Sequence, residues 1–506
     1  MPSSAQLSPS GGESPAYEEN QTGGIVSTDL SDLEKAEEEK EEKVTRQNGQ
    51  AGTSSGPEIW QTPPERELFD TGAHDKPGVI NRVLSRISTN ADWNPGPPPN
   101  GGRIAWLMCL CGHFIVMNTW GFINSFGIFQ TYYATLFARP PADISWIGSI
   151  QVFLTYFIGT FAGRMVDAGF LRPVLAAGTL LTLLGIFATS AATKYWQLLL
   201  SQGLCMGLGS GCLFCAAIST VSSYFSTRRS FAIGLVASGS VTGGLVFPAM
   251  ARQLLPTAGF GWTVRAMGLV QLVTLAFVNY FMKPRLPPRR TGPLVDWAAL
   301  AELEYTFYAV SMFFNFWGVY FGFYYLAAFA RSPAAALGLA GKTLSYEDSL
   351  DILLVANAAG LPGRLIPNLL ADRFGPLTVA IPVCLACGAA LLSWAAVRDP
   401  AALYGWAAAY GFASGGIQAL FPAGLGSLTA AHPGAQGTRI GMAFTIVSFA
   451  VLTGNPLSGA LISAMGGRYE GAQAFTGVSL LVGMGFVCAA RWVGMRRTGE
   501  GWGVRI

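Results

Sequence analysis

Long apolar runs, separated by short polar stretches, dominate the chain from residue 103 onward. A helix that crosses a bilayer needs about 20 mostly apolar residues, and windows of that size predict twelve spans. We therefore expect an all-α, polytopic membrane protein with twelve transmembrane helices in two six-helix bundles with inverted repeats. The predicted spans lie near 104–129, 145–165, 174–193, 197–221, 231–251, 262–282, 304–328, 349–370, 377–397, 401–427, 440–464 and 472–493.

The first 102 residues show the opposite pattern. They carry 17 acidic and 8 basic residues, and residues 34–43 read EKAEEEKEEK. Such a segment buries too little apolar surface to offset the entropy of the chain, so we expect disorder. The expected organisation is a disordered acidic cytosolic tail (1–102), an N-terminal six-helix bundle (103–282), a cytosolic linker (283–303), a C-terminal six-helix bundle (304–495) and a cytosolic tail (496–506).

The composition excludes the class of soluble enzymes. Charged residues make up 12% of the chain, about half the fraction that is usual in soluble domains. The three histidines are scattered at positions 74, 113 and 432, and neither a metal-ligand cluster nor a nucleotide-binding loop is visible. We therefore expect no enzymatic activity, no cofactor, no metal site and no nucleic-acid partner.

The basic residues predict how the chain is oriented. Residues 103–506 contain 24 Lys and Arg, and 16 of them fall on the side that carries both termini and the linker. Cytosolic loops are enriched in Lys and Arg, so both termini are expected in the cytosol. We expect the protein to lie in the plasma membrane.

Two pairs of landmarks indicate that the body is duplicated. Asp167 and Asp372 each follow the second span of a half and lie 205 residues apart, and Gly234 and Gly441 each open a fifth span and lie 207 residues apart. Paired halves are typical of secondary transporters that move about a site near the middle of the membrane.

Three stretches carry a family resemblance. They are residues 99–106 (PNGGRIAW) with 118–127 (NTWGFINSFG), residues 224–235 (YFSTRRSFAIGL), and the pair Gly363-Arg364 with the turn at 371–375 (ADRFG). The chain resembles the major facilitator superfamily, and within it the fungal monocarboxylate-porter-like transporters. The resemblance implies twelve helices and transport of a small organic solute by alternating access.

Arg364 is the most informative side chain. A cation deep in a span costs at least ~2.5 kcal/mol, so it should face a cavity or a counter-ion. Its guanidinium suits an anionic substrate, and a structural ion pair or a position near the inner surface are the alternatives. In the animal monocarboxylate carriers a lysine and an aspartate accompany this arginine, and here those positions are occupied by Asn124 and Gly360.

Further candidates follow from polar side chains within or between the spans. Spans 1 and 7 are equivalent in the repeat, which favours polar residues there as substrate contacts. Charged residues at the inner turns are candidates for a gate, and His113 is a candidate for proton coupling because histidine titrates near neutral pH. The substrate candidates are Arg364, Asn118, Trp120, Asn124, Asn315, Tyr320 and Tyr324, and the gate candidates are Asp167, Arg172, Arg228, Asp372 and Arg373.

The sequence thus predicts a secondary active transporter for a small organic solute, a monocarboxylate-like or secondary-metabolite anion. Two alternatives stay open, namely a transporter-like sensor without turnover and an efflux pump for a neutral compound. The expected partners are the lipid bilayer and a small molecule. A coupling proton, the direction of transport and the oligomeric state are left open.

Overall fold

The computed structural model describes residues 96–126, 129, 132–133, 137, 141–289, 293–332 and 344–499. Most of the acidic segment at 1–102 lies outside the described residues. Within them, nine helical stretches are long and apolar enough to cross a membrane by length and composition. One of the nine, Arg229–Phe281, contains two predicted spans. Two further helices, at 303–331 and Pro400–Leu428, bring the total to twelve.

We number these helices α1 to α12. A short linker helix, Trp297–Ala301, stands between α6 and α7. The first six are α1 Gly102–Asn124, α2 Pro141–Phe157 continued by Gly159–Asp167, α3 Leu171–Ser190, α4 Tyr195–Tyr224, α5 229–258 and α6 260–281. The second six are α7 Leu303–Gly318 continued by Phe321–Arg331, α8 Tyr346–Phe374, α9 Pro376–Ser393, α10 Pro400–Leu428, α11 Gln436–Ala464 and α12 Glu470–Thr498.

The predicted all-helical architecture is confirmed, and local departures from regular helix have identifiable causes. α5 and α6 meet at Gly259, whose φ of +75° is accessible to glycine at little cost. α8 and α10 run unbroken through their internal prolines, as helices in a membrane bundle can.

α7 is interrupted in mid-span, where the sequence pattern predicts one continuous helix. The interruption falls at Val319 and Tyr320, and the Val319 carbonyl accepts a hydrogen bond from the Tyr410 hydroxyl of α10. A hydroxyl from a neighbouring helix thereby satisfies a backbone group that the break would otherwise leave unpaired. In α1, the same level of the bundle contains a π-helical turn, Met117–Gly121.

The two halves pack most closely at the end of the molecule that carries the linker, which we call the linker face. There Gly163 of α2 lies against the backbone of Gly437 in α11, and Gly159 lies against Gly441, so closely that a Cβ would overlap main-chain atoms. Gly234 of α5 similarly faces the Arg364 carbonyl of α8, with a distance of 2.7 Å from an added Cβ. Small residues allow such close approach, and here they close the linker face.

Candidate functional site

A cavity opens between the halves, on the side away from the linker face. Its empty volume is about 540 Å³, including space open to solvent, and none of the described residues that line it is charged. α1, α2, α7 and α8 all contribute, so both halves form its wall. The lining residues are Ile123, Asn124, Phe126, Val152, Tyr320, Phe323, Tyr324, Leu353 and Asn357.

Arg364 lies between this cavity and the linker face, and only 2% of its surface is exposed. Its Nη1 donates to the Gly360 carbonyl at 3.0 Å, and its Nη2 donates to Gln418 Oε1 of α10 at 2.9 Å. Both partners are neutral, and the ion pairs between described residues do not include Arg364. Glycine at position 360 leaves room for the guanidinium, because an added Cβ would lie 2.5 Å from Nη1. The guanidinium therefore keeps a net charge inside the protein.

A cluster of aromatic rings fills the middle of the interface between the halves. Trp120 of α1 stacks on Tyr320 of α7 at a centroid separation of 6.0 Å, and Tyr156 of α2 contacts Phe316 of α7 at 5.7 Å. Each such pair stabilises the contact by about 0.5–1.5 kcal/mol beyond simple burial. We call this the central aromatic cluster, and it comprises Trp120, Tyr156, Phe214, Phe316, Tyr320, Phe421 and Phe444.

The substrate candidates separate into two groups. Asn124, Tyr320 and Tyr324 line the cavity, whereas Asn118 and Asn315 point into their own half. Asn118 donates to Thr274 Oγ1 of α6 at 2.8 Å. Asn315 donates to its own helix, and Gly483 of α12 packs against it. Neither amide lies among the residues that line the cavity.

His113 lies between α1 and α5. Its Nδ1 is 2.9 Å from the Leu235 carbonyl oxygen and its Nε2 is 3.1 Å from Thr242 Oγ1. A neutral ring with the proton on Nδ1 satisfies both contacts, donating to the carbonyl and accepting from the hydroxyl. These bonds hold two helices of one half together.

Asp167 bridges the halves at the linker face. Its Oδ1 accepts from the Gly437 backbone N–H at 2.8 Å, and its Oδ2 accepts from the Thr438 N–H and hydroxyl, both at 2.7 Å. The carboxylate thus caps the N-terminus of α11, where the helix dipole favours a negative charge. The end of α2 is thereby fixed to the opposite half.

Asp372 makes the equivalent contact in the other direction. Its two carboxylate oxygens accept from the Ser230 N–H at 2.9 Å and the Phe231 N–H at 3.0 Å, both at the N-terminus of α5. The two aspartates that mark the repeat in the sequence therefore occupy equivalent places, each capping a helix of the opposite half. Together they form a symmetric closure of the linker face.

The arginine gate candidates behave differently. Arg172, Arg228 and Arg373 are exposed. Arg229, next to Arg228, instead donates from Nη1 to the Gly426 carbonyl of α10 at 2.9 Å, across the interface. In this state Arg229 is thus a basic residue that bridges the halves.

The linker is attached to both halves near Asp167. The Arg289 N–H donates to the Asp167 carbonyl at 2.7 Å. Further along, Asp296 and Glu302 pair with Arg439 of α11 at 2.8 and 3.0 Å. Burial raises the pKa of the Asp296 carboxyl, but the hydrogen bond and charge of Arg439 outweigh that effect and hold its pKa below the usual value.

Sequence reasoning did not single out Asn357, Gln418 or Arg439. Asn357 lines the cavity, Gln418 binds Arg364, and Arg439 anchors the linker. Gln418 lies within the predicted span 401–427 and Arg439 directly precedes the span 440–464, which was the available signal. Only the packing of α8 against α10 and of the linker against α11 identifies their partners.

Comparisons with known proteins agree with this architecture. Residues 109–421 match the family model described as Major Facilitator Superfamily. A Gibberella zeae protein named MFS-type transporter is 55% identical over 429 residues, which cover 84% of this chain and 96% of that relative. The Aspyridones efflux protein apdF of Emericella nidulans is 32% identical over 412 residues, covering 81% of this chain and 82% of that relative.

A solved structure shows the same fold. The crystal structure of the transporter FucP, described as being in the outward conformation, superimposes with a TM-score of 0.59 at 16% identity. The match covers 76% of this chain and 98% of that one.

Proposed function

Because this chain belongs to the major facilitator superfamily and is a multi-pass membrane transporter, we propose that it is a secondary active transporter that exports a small organic acid of the secondary-metabolite type. The observation that carries the proposal is Arg364, a buried cation with neutral partners, placed beneath a cavity between the two halves. The name of the Emericella relative, an efflux protein, supports export as the direction.

The energetics of Arg364 favour an anionic group as its physiological partner. An unpaired charge in the membrane interior is costly, and a bound carboxylate compensates it while accepting two parallel hydrogen bonds. Two other buried donors near the middle of the interface, Trp120 Nε1 and Gln418 Nε2, have no hydrogen-bond partner among the described residues. Acceptor oxygens on a substrate would satisfy them.

The two aspartate closures support alternating access. We propose that the linker face is cytosolic, that residues 103–282 and 304–495 are the bundles that move, and that both termini lie in the cytosol of a plasma-membrane protein. In the described state Asp167 and Asp372 close this face while the cavity faces the opposite side. Release of both closures then exposes Arg364 to the cytosol.

Transport into proteoliposomes tests the proposal. Radiolabelled 2-naphthoate should accumulate in vesicles that contain the protein, and Arg364→Ala should abolish accumulation while leaving the amount of folded protein unchanged. Arg398→Ala is the matched control, because Arg398 is an exposed arginine in the α9–α10 connection. Accumulation of 2-naphthamide but not of 2-naphthoate would instead support the export of neutral compounds.

The same preparation tests the sensor alternative and the coupling proton. Binding of 2-naphthoate without accumulation would support a sensor that lacks turnover. An imposed pH gradient should drive accumulation if a proton is coupled, and His113→Gln should then remove the dependence on the gradient.

A further inference from the structure

The lining of the cavity defines a class of ligand more closely than Arg364 alone. Four rings belong to the wall, from Phe126, Tyr320, Phe323 and Tyr324, and the remaining apolar contacts are aliphatic. Aromatic rings favour stacked or edge-on contact with a flat partner. The wall therefore suits a planar, conjugated body.

Two amides face this space from opposite halves. Asn124 belongs to α1 and Asn357 to α8, and Gly244 of α5 lies beside both. A Cβ placed on Gly244 would be 3.6 Å from Asn124 Cβ, and 3.9 Å from both the Asn124 amide nitrogen and Asn357 Oδ1. The two amides thus flank a single small space that glycine keeps open.

The side-chain amide of Asn357 already makes one hydrogen bond within its own helix. The Asn357 amide nitrogen donates to the Leu353 carbonyl of its own helix at 3.0 Å, so its oxygen remains directed to the space beside Gly244. An amide offers both donor and acceptor groups and carries no charge. Carbonyl, hydroxyl or amide groups on a ring system are the chemical partners of such a pair.

We infer that the cavity binds the planar, oxygen-bearing ring system of the substrate through the aromatic wall and the amide pair Asn124–Asn357, without requiring a charge on the ligand. This inference rests on the proposed function, since it names the class of substrate that the proposed transporter carries. It assigns the ring body to the cavity, and this binding step does not use Arg364, the proposed partner of the acidic group, because Arg364 does not line the cavity in this state. The amides lie on different halves, so one ligand touching both ties the halves together.

Two coumarins that differ only in charge test this assignment. 7-Methoxycoumarin-3-carboxamide and 7-methoxycoumarin-3-carboxylate share a planar fluorescent ring, and their binding to the protein in nanodiscs can be followed by fluorescence anisotropy against empty nanodiscs. We expect dissociation constants that agree within about threefold. Asn124→Ala and Asn357→Ala should each raise the dissociation constants of both ligands by about five- to tenfold, the usual effect of one lost hydrogen bond.

Three further variants sharpen the test. Gly244→Ala puts a methyl group between the amides without a contact shorter than 3.6 Å, so the protein should fold normally and bind both coumarins at least fivefold more weakly. Asn118→Ala is the matched control, because this amide faces α6, and it should leave binding unchanged. Asn124→Lys should shift the preference at least tenfold towards the carboxylate, because it adds a cation to an uncharged wall.

The outcomes separate this inference from the proposed function. Wild-type affinity in Asn124→Ala and Asn357→Ala, or no binding of either coumarin by the wild type, would overturn it. Strong selectivity for the carboxylate that disappears in Arg364→Ala would overturn it as well. Unchanged coumarin binding in Arg364→Ala supports it, and loss of acid accumulation in that variant is the separate test of the function.

Discussion

Substitution Asp167→Asn tests the closure of the linker face. Asparagine keeps one acceptor oxygen but replaces the other with an amide NH₂, which faces donors of Thr438. The variant also loses the charge at the N-terminus of α11. Hydrogen bonds to charged groups contribute about 1.5–3 kcal/mol each, and the half-buried site places the total loss at about 2–3 kcal/mol. The ratio of open to closed protein should therefore rise about 30- to 150-fold.

A native cysteine reports this opening. Cys215 of α4 is fully buried, and its Sγ lies 3.3 Å from the Gly159 carbonyl oxygen and 4.0 Å from that of Gly437, at the contact between α2 and α11. Separation of those helices exposes the thiol. The rate of maleimide labelling, measured for the Cys215 peptide by mass spectrometry, should therefore rise in Asp167→Asn by the same 30- to 150-fold.

The control removes a similar charge from a helix end that does not join the halves. Asp399 caps α10, accepting from the Ala402 N–H at 2.9 Å, and it is exposed. Asp399→Asn should leave Cys215 labelling unchanged. Equal labelling of wild type and Asp167→Asn, with both proteins monodisperse, would refute the assignment of Asp167 as a closure of the linker face.

Three further perturbations have defined outcomes. Gly163→Ala should raise the rate of Cys215 labelling at least tenfold, because the added methyl group overlaps the backbone of α11. Gly405→Ala, whose methyl group meets no atom within 4 Å, should leave the rate unchanged. Equal labelling rates in Gly163→Ala and the wild type would exclude the glycine contact as a condition of closure. Arg364→Lys keeps the charge but loses the planar guanidinium that reaches two neutral partners, so 2-naphthoate accumulation should fall at least tenfold. Accumulation at the wild-type rate would show that the charge alone suffices. Because the pKa of Asp296 is lowered in the folded protein, its ion pair with Arg439 stabilises the fold above about pH 4, and this contribution is lost as the pH falls through the pKa of the folded state. Asp296→Asn should therefore reduce the acid-induced loss of Tm, and an unchanged Tm profile from about pH 3 to 7 would contradict the ion pair.

The helices were predictable because the membrane imposes one dominant requirement on sequence, namely about 20 apolar residues per span. The repeat was equally visible, and Asp167 and Asp372 prove to cap equivalent helices. The position of each aspartate at the end of a span can be seen in the sequence. In the structure, both aspartates contact the first residues of a helix.

The facing of individual polar side chains was not predictable in the same way. Asn118 and Asn124 are both amides of α1, but Asn118 lies inside the π-helical turn Met117–Gly121, which alters the face that it presents, and only Asn124 reaches the cavity. The extra residue in a π turn leaves no mark in composition or hydropathy. Gln418 was missed for a related reason, since its partner belongs to another helix.

The interruptions of α1 and α7 have a mechanical consequence. The π-helical turn at Met117–Gly121 and the break at Val319–Tyr320 occupy matching positions in the two halves, at the level of the central aromatic cluster. Departures from the regular hydrogen-bond ladder are the points at which helices bend. The segment of α7 beyond its break, Phe321–Arg331, can therefore tilt over an occupied cavity as a hinged flap, whereas the linker face is fixed by the contacts of Asp167 and Asp372.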